Sequence, residues 1–419
     1  MSYVIQNFDQ LATTEARRIA LRIVEAGLDA INTEKVVRDN VRVEGENLYV
    51  KDQVINLAEY KRIRIIGFGK ASCDAAVALY KVLGERIVGG AVIDIKTAQC
   101  GPVVSLVGTH PHPSNQNVVA TRQIVELTKD VTEDDLVLVI VSGGGSALLC
   151  WPETECDQGD LLYSEFLKVG ASISELNIVR KHLSLLKGGG LAKMLYPARV
   201  VGLIFCDVPG GDPHEVASGP TYKDDTSVET AQEILTKYGV SDLTLNETPK
   251  EDKYFEKVTN ISLVSNQDAL EAMKSSAEDM GLSAEIMSLK VYDSPEVAIK
   301  KFKELSKSAN VVLAGGEVKL VVEKGGGSGG RNVQLALTAL NEVGEDTFVS
   351  IASDGIDNCE AAGAIADSVT LEKVSKLNLD IEDYLDRCDS YNFFKQTDDL
   401  IMTGQTGSNV SDLMLWLRQ

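Results

Sequence analysis

The chain has 419 residues, a length typical of two or three domains. Its hydrophobic fraction of 44% and charged fraction of 25% are those of a globular protein, which excludes collagen-like, low-complexity and fully disordered chains. With 41 basic and 62 acidic residues, the formal net charge is −21, so we expect neither a nucleic acid nor an anionic membrane surface as a partner.

The seven cysteines are odd in number and scattered, without a C-x-x-C pair, which is typical of reduced thiols. The first residues show no basic segment followed by an apolar one, and no apolar stretch reaches the roughly 18 residues of a membrane span. We therefore expect a cytoplasmic protein.

In chain order, apolar residues with a period near 3.6 predict an amphipathic helix over residues 9–30. A short polar, strand-like stretch follows over residues 41–54. Next come brief apolar segments, each followed by glycines and a helical pattern, at residues 62–67, 136–142 and 200–206. Segments that are apolar on both faces are typical of central strands in a parallel sheet, and their alternation with helices predicts an α/β fold.

A second series of strands is predicted at residues 261–264, 311–316, 318–322 and 348–352. Between the two series, residues 224–256 are acidic and polar, which favours a domain boundary, although a surface helix and loop would have the same composition. We expect two α/β domains, with a ligand site where the loops at the strand ends converge.

Five segments join a predicted strand end to glycines and polar groups, at residues 67–72, 142–147, 207–212, 325–332 and 403–409. Backbone without side chains lets amide groups approach an anion, so these loops predict a phosphate site. Two of them carry a cation, Lys70 and Arg331. The P-loop motif does not account for them, because Ala71 follows Lys70 and Arg64 stands at the position of the first glycine.

One alternative is a dinucleotide site. Gly325, Gly327 and Gly330 match G-x-G-x-x-G, a predicted helix follows, and Asp354 lies 24 residues further on. This pattern would indicate a dehydrogenase. However, Glu323 and Lys324 separate the predicted strand from the first glycine, whereas the tight turn should begin at the strand end.

Two other motifs are weaker. Ser328 lies in a G-x-S-x-G pattern, but an α/β-hydrolase needs a histidine after the serine and all four histidines precede it. His110 and His112 alternate with prolines and would make half of a zinc site, but no partner has recognisable spacing. A rigid turn or a substrate-positioning loop explains the histidines better.

Taken together, these segments resemble the glycerate 2-kinase family, the class II glycerate kinases with a C-terminal MOFRL domain. The resemblance runs in family order from about residue 67 to residue 413. The matching segments are 67–72, 142–149, 176–184, 187–190, 206–210, 217–221, 315–317, 329–332, 353–357, 361–364 and 406–409. The chain departs from the family pattern at Ser114, Gly190 and Gly211, which affects the detail of the substrate loops.

The resemblance implies a Rossmann-like parallel sheet with flanking helices in residues 1–238 and a smaller α/β domain of MOFRL type in residues 239–419. The active site would lie in the cleft between the domains, to which the last residues would return. The implied reaction is transfer of the γ-phosphoryl of ATP to the C2 hydroxyl of D-glycerate, giving 2-phosphoglycerate and ADP, with Mg²⁺. The small molecules D-glycerate and ATP would be its partners, and a homo-oligomer is left open.

The resemblance also implies site residues. Lys70 and Arg331 would act on the transferring phosphoryl and the glycerate carboxylate, and Asp207 would orient the C2 hydroxyl, alone or through Mg²⁺. Asp354 would bind the metal, the nucleotide or the substrate, and Asn409 the substrate. Aspartates after strands also cap turns, so a structural role for both acids stays open. The residues expected to bind the nucleotide are Ser142, Gly143, Gly144, Gly145, Ser146, Asn177, Arg180, Lys187, Thr406 and Gly407.

Two other functions remain. The family is also reported as hydroxypyruvate reductase, so an NAD(P)-dependent reductase is the main alternative. A non-catalytic protein that senses a phosphorylated metabolite would use the same loops without turnover.

Overall fold

The computed structural model describes residues 3–322 and 326–419. The α-helices are α1 (Phe8–Leu11), α2 (Glu15–Ala30), α3 (Thr33–Asn40), α4 (Ser72–Leu83), α5 (Asn115–Thr128), α6 (Gly145–Leu148), α7 (Thr154–Val169), α8 (Ile173–Leu183), α9 (Gly190–Leu195), α10 (Val228–Tyr238), α11 (Asn266–Asp279), α12 (Pro295–Leu305), α13 (Arg331–Ala339), α14 (Ser368–Leu377), α15 (Ile381–Asp386) and α16 (Ser390–Thr397). The strands are β1 (Val41–Glu44), β2 (Asn47–Val50), β3 (Gln53–Asn56), β4 (Arg62–Phe68), β5 (Ile87–Asp94), β6 (Val103–Val107), β7 (Asp135–Val141), β8 (Arg199–Phe205), β9 (Val258–Val264), β10 (Ala284–Val291), β11 (Val311–Gly316), β12 (Thr347–Ala352), β13 (Gly363–Ala366), β14 (Leu400–Ile401) and β15 (Asp412–Leu417).

The first sheet has the strand order β6-β5-β4-β7-β8-β9, and the pairs from β6 to β8 are parallel. Strand β7 is buried along its whole length, as expected for a central strand covered on both faces. Phe68 at the end of β4 pairs with Val141 of β7 and Ile93 of β5. The loops that follow these strands therefore start at the same edge of the sheet. The predicted strands at 62–67, 136–142 and 200–206 are confirmed as β4, β7 and β8.

The predicted strand-like stretch at 41–54 forms a small separate sheet. Strands β1, β2 and β3 pair antiparallel in that order.

The second large sheet is mixed, with the order β10-β11-β15-β12-β13-β14. Strand β10 is parallel to β11, and the other pairs are antiparallel. Asp412, the first residue of β15, pairs with Gly316 of β11 and with Ala352 of β12. An acidic residue therefore stands at the edge where two predicted strands end.

A strand predicted at residues 318–322 is absent, because this part of the chain forms no sheet pairing. Both hydrogen-bonding edges of the preceding strand β11 are already occupied, by β10 and β15. Val318 is buried, whereas Val321 and Val322 are exposed. Their apolar character thus does not indicate a strand.

The predicted N-terminal helix is present as α1 and α2. Helix α2 packs against α11 and against strand β12 of the mixed sheet. Gly27 permits this approach, because a Cβ there would stand 2.7 Å from Cγ of Met273. Arg17 is fully buried and binds Asp367 through Nε and Nη2, at 2.7 and 2.6 Å. Its Nη1 donates to Asp399 at 2.7 Å.

The α/β fold with two domains is confirmed, and the chain forms two compact units. One unit contains residues 33–206 and 212–263, and the other contains residues 3–32, 207–211 and 264–419. The acidic stretch around residue 248 lies inside the first of these units, because β9 follows it and adds to the edge of the first sheet. In the ranges described, no helix is both long and apolar enough to cross a membrane.

Candidate functional site

Two glycine loops meet at the end of the first sheet, because the parallel strands β4 and β7 end at the same edge. The N–H of Lys70, after β4, donates to the carbonyl of Gly143, after β7, at 2.9 Å. The Ser142 hydroxyl accepts from the Ala71 amide at 3.2 Å and donates to the Phe68 carbonyl at 3.4 Å. The buried Ser142 side chain therefore links the two loops through hydrogen bonds.

Gly144 belongs to the loop of residues 142–147 that follows β7, called the β7 loop below. It has a φ of +79°, and a Cβ would stand 2.9 Å from the His110 ring and 3.3 Å from Cγ of Lys70. The N–H groups of Gly143 and Gly144 donate to no acceptor in the part of the chain that the structure describes. The loop thus presents two backbone donors beside the Lys70 side chain, an arrangement suited to an anion. Gly145 packs closely, since a Cβ there would meet Ala217 at 2.6 Å.

A cavity of about 180 Å³ adjoins this loop. It is lined by His110, Pro111, His112, Pro113, Gly144, Ser146, Ala147, Cys150, Glu155, Gly159, Asp160, Tyr163 and Arg180. The Ser146 hydroxyl lies 3.0 Å from that of Ser218. His112 Nδ1 lies 2.8 Å from Oδ1 of Asp160, so this histidine has a carboxylate partner. Across the described residues, no group of three or more His, Cys, Asp or Glu side chains is arranged to hold a metal ion.

Helix α8 supplies the predicted nucleotide-binding residues Asn177 and Arg180. The Asn177 amide donates to Glu215 at 2.9 Å, and Arg180 Nη1 lies 3.5 Å from Asn177 Oδ1. Burial lowers the pKa of the Arg180 guanidinium, and the negative charge of Glu155 opposes this only in part. Arg180 lines the cavity, whereas the Asn177 side chain is engaged with Glu215.

Lys187, also predicted to bind the nucleotide, lies in a buried ion pair. Its side chain is completely buried, and its ammonium donates to the Leu149 carbonyl at 2.6 Å and pairs with Glu155. The lysine thus stabilises the turn between α8 and α9, and its contact with a nucleotide stays a prediction. The glycines around it suggested a loop site, but sequence gave no signal of the Glu155 partner.

In the other unit, Arg331 begins α13 and lies between two carboxylates. Its Nη1 is 2.8 Å from Glu317 and its Nε is 3.3 Å from Asp412. A cation at a helix start favours nearby anions, and these two acids provide them. Burial would lower the pKa of Arg331, but the charges of Asp412 and Glu317 raise it. A cavity of about 470 Å³ is lined by Arg331 and Glu317 among others.

Asp412 was missed by the sequence reasoning. Its side chain is 5% exposed, and burial raises its pKa to about 7 in spite of Arg331.

Asp357 lies in the matching segment 353–357, but no role was predicted for it. It accepts from the Val333 amide at 2.8 Å and from the Asn332 side chain at 3.2 Å, so it fixes the first turn of α13. Burial raises the pKa of the Asp357 carboxyl, as it does that of Asp412.

The predicted residues Asp354, Thr406 and Asn409 lie in two loops that are bonded to each other. The Thr406 amide donates to the Asp354 carbonyl at 3.1 Å, and its hydroxyl donates to the Ser353 carbonyl at 2.6 Å. Asn409 accepts from the Ser353 hydroxyl at 3.5 Å. Asp354 accepts from the Ile356 amide at 3.2 Å, so it also shapes its own turn. Gly407, with a φ of +74°, permits the turn of the second loop.

Asp207 follows β8 and is partly buried. In the same loop, Gly210 has a φ of +84°, and a Cβ there would overlap the Lys290 side chain, 1.7 Å from its Cε. Lys290 is thus a cation beside this loop that the sequence did not reveal, because it comes from the distant strand β10.

The dinucleotide pattern is not supported by the surrounding geometry. Gly325 lies outside the described residues, and the predicted strand before it is absent. A Cβ on Gly327 would be 2.3 Å from the Cys388 carbonyl, and one on Gly330 would be 2.3 Å from the Asp357 carbonyl. These two glycines serve close packing within the protein. Helix α13 follows them, but in the described ranges no strand directly precedes them, as a dinucleotide fingerprint requires.

Comparison with known proteins agrees with the resemblance seen in sequence. Residues 19–248 match a family described as a domain of unknown function (DUF4147), and residues 310–412 match the MOFRL family. A D-glycerate 2-kinase from Thermotoga maritima is 34% identical over 96% of this chain and 98% of its own. A protein from Agrobacterium vitis named putative hydroxypyruvate reductase is 35% identical over 84% of this chain and 98% of its own. A crystal structure of glycerate kinase from Thermotoga maritima superposes with a TM-score of 0.84 at 31% identity, covering 96% of this chain and 99% of that one.

Proposed function

The chain belongs to the glycerate 2-kinase family, and from this premise we propose that it transfers the γ-phosphoryl of ATP to the C2 hydroxyl of D-glycerate, giving 2-phosphoglycerate and ADP. The observation that supports the proposal most is the β7 loop. The two amides of Gly143 and Gly144, which lack protein acceptors among the described residues, lie beside Lys70. Phosphoryl transfer depends chiefly on positioning and on charge stabilisation, and such a loop provides both.

In this proposal the nucleotide phosphates accept hydrogen bonds from the loop amides, and Lys70 provides a point charge that can follow the moving phosphoryl. Arg331 and Asp207 remain candidate catalytic residues. Asp207 and Asp354 would hold Mg²⁺, because carboxylates in loops after strand ends are ligands that this ion prefers, with phosphate oxygens and water. When bound, the ion neutralises phosphate charge. Thr406 and Asn409 remain candidates for ligand binding through the loop they share with Asp354.

The test is an assay of ADP release from ATP, Mg²⁺ and D-glycerate, with the phosphoglycerate isomer identified by phosphorus NMR. Hydroxypyruvate with NADH and with NADPH is run in parallel. We expect ADP and 2-phosphoglycerate in equal amounts. Formation of 3-phosphoglycerate would contradict the placement of the hydroxyl, and oxidation of NADH or NADPH without ADP would favour the reductase. Ligand-induced stabilisation without turnover would favour a sensor.

The β7 loop is tested by Gly144→Ala, with Gly239→Ala as a matched control. Both glycines have a left-handed φ, +79° and +67°, so the backbone strain is similar. However, a Cβ on Gly144 would meet the His110 ring and Lys70, whereas nothing lies within 4 Å of one on Gly239. We expect Gly144→Ala to lower kcat/KM for ATP at least tenfold while Gly239→Ala leaves it unchanged. Equal activities would exclude the loop from nucleotide binding.

A further inference from the structure

The wall of the cavity beside the β7 loop contains an arginine, Arg180. In the described ranges, Arg180 forms no ion pair, and its one hydrogen-bond contact is the Asn177 oxygen at 3.5 Å. The cavity's two carboxylates are engaged elsewhere. Glu155 pairs with Lys187 and accepts from the Trp151 amide at 2.7 Å. Oδ1 of Asp160 contacts Nδ1 of His112.

The balance of these charges favours an anionic guest. The buried pair of Lys187 and Glu155 is neutral as a whole, and the side chain of Asp160 is half exposed and contacts His112, so neither carboxylate of the cavity forms an ion pair with Arg180. A partly buried cation without a carboxylate partner is unfavourable unless a ligand supplies one. Burial lowers the pKa of Arg180 although the charge of Glu155 opposes it, which agrees with the absence of a direct ion pair in the described ranges.

The size of the cavity selects among anions. Its volume of about 180 Å³ is below the roughly 300 to 1,000 Å³ of pockets that enclose drug-sized ligands, so a whole nucleotide does not fit. A three-carbon acid does. Gly144 and Ser146 belong both to the cavity wall and to the β7 loop. A small acid in the cavity would therefore have its hydroxyl groups next to phosphates bound on that loop.

We propose that Arg180 binds the carboxylate of a short 2-hydroxy acid, D-glycerate, in this cavity. The assignment rests on the proposed function for the identity of the acid, and it replaces the expectation that Arg180 contacts the nucleotide. The guanidinium can grip a carboxylate through two parallel N–H···O bonds. The cavity then fixes the acid, and the loop fixes the phosphoryl donor.

The experiment compares D-glycerate with its neutral amide, D-glyceramide, in the wild type, Arg180→Gln and Arg180→Lys. A charge-assisted hydrogen bond is worth about 1.5–3 kcal/mol, so we expect Arg180→Gln to raise KM for D-glycerate by roughly 10- to 150-fold. KM for ATP should change less than about threefold. Arg180→Lys should recover part of the affinity, because it keeps the charge and loses the fork.

The amide shows whether the effect is direct. Wild type should prefer D-glycerate over D-glyceramide, and Arg180→Gln should lose most of that preference, which a general loosening of the fold would not produce. Arg122→Gln is the matched control, since Arg122 is an arginine of the same unit whose ion pair with Glu153 is exposed. It should behave as wild type. Circular dichroism and Tm verify that each variant is folded.

Failure of this inference and failure of the proposed function are distinguishable. If wild type releases ADP and Arg180→Gln keeps its KM for D-glycerate, or raises only KM for ATP, the inference is overturned and the kinase stands. If wild type shows no turnover, calorimetric titration of D-glycerate, with and without a non-hydrolysable ATP analogue and Mg²⁺, still decides. Binding that Arg180→Gln weakens at least tenfold supports the site, and wild type that binds no D-glycerate overturns it.

Discussion

At the scale of single residues, the cations of this acidic chain differ in what surrounds them. Arg331 lies between Glu317 and Asp412, which hold two edges of its guanidinium. Arg180 has no carboxylate within ion-pair distance among the described residues. A cation already held by carboxylates is fixed in orientation but partly neutralised, whereas an uncompensated one retains its attraction for an anion. The two arginines are therefore suited to different tasks.

The raised pKa of Asp412 has a consequence for stability. The folded chain keeps this proton up to about pH 7, whereas an unfolded chain releases it near the ordinary value of about 3.9. Between these values the folded state binds more protons, so the free energy of unfolding falls as pH rises through the window. Arg331, Glu317 and Asp357 are the charged groups that influence this carboxyl.

We expect Asp412→Asn, which does not titrate, to lose less stability than wild type between about pH 5 and about pH 8. The measurement is urea unfolding at both pH values. Asp346→Asn is the control, since Asp346 accepts from Trp416 at the other end of β15, at 2.9 Å. It should retain the wild-type difference between the two pH values. A parallel fall in Asp412→Asn and wild type would contradict the assignment.

At the scale of elements, α2 is attached to its unit by a buried ionic cluster as well as by apolar packing. Arg17 binds Asp367 and Asp399, and Lys373 also reaches Asp399, at 2.7 Å. Thr370 accepts from Nη2 of Arg17 at 3.0 Å. Such a cluster orients the helix, because removal of the arginine leaves buried carboxylates without their main partner.

We expect Arg17→Met to lower the free energy of unfolding by about 3–5 kcal/mol. Arg18→Met is the matched control one position along the same helix. The Arg18 side chain is 41% exposed and pairs with Glu15, so its removal should lower the free energy of unfolding by less than about 1 kcal/mol. Urea denaturation followed by circular dichroism gives both values. Similar losses in the two variants would show that the cluster contributes no more than a surface pair.

At the scale of the whole molecule, each unit is assembled from separate parts of the chain. The unit with the mixed sheet takes residues 3–32 and 207–211 in addition to residues 264–419. We expect a fragment of residues 264–419 to unfold at a lower temperature than the same fragment with a peptide of residues 3–32 added, because the peptide covers α11. Calorimetry measures both, and a peptide carrying Arg17→Met should rescue less. An unchanged Tm on adding the peptide would sink this prediction.

Periodicity and apolar runs were sufficient to predict β4, β7, β8, β11 and β12 and the helix after Gly330. They could not assign a strand to its sheet. Strand β9 was expected to open the second domain, yet it extends the first sheet, since pairing depends on which edge is open and not on local composition. Strands β10, β13 and β14 were not predicted, because parts of them lack a distinctive pattern. Strand β15 was also not predicted, although five apolar residues follow Asp412 in it.

The glycine loops were predicted well as positions, but their uses could not be separated from sequence alone. Gly144 and Gly327 look alike in the chain. In the structure, Gly144 belongs to a loop with unpaired amides, whereas Gly327 packs against the backbone near Cys388. Lys187 and Arg180 were similarly both predicted to bind the nucleotide, and only the position of Glu155 decides which one is buried in an ion pair. Such contacts join residues that are far apart in the chain.

The placement of α2 also has a consequence for the order of events during synthesis. Arg17 and Asp367 are 350 positions apart. At about 5–20 residues per second, a ribosome needs roughly 20 to 70 s to make the acid after the arginine. The helix therefore emerges long before its partners exist, and the unit built around residues 33–263 can form while it waits. Completion of the other unit is then a post-translational step, in which α2, one of the first helices made, is among the last to dock.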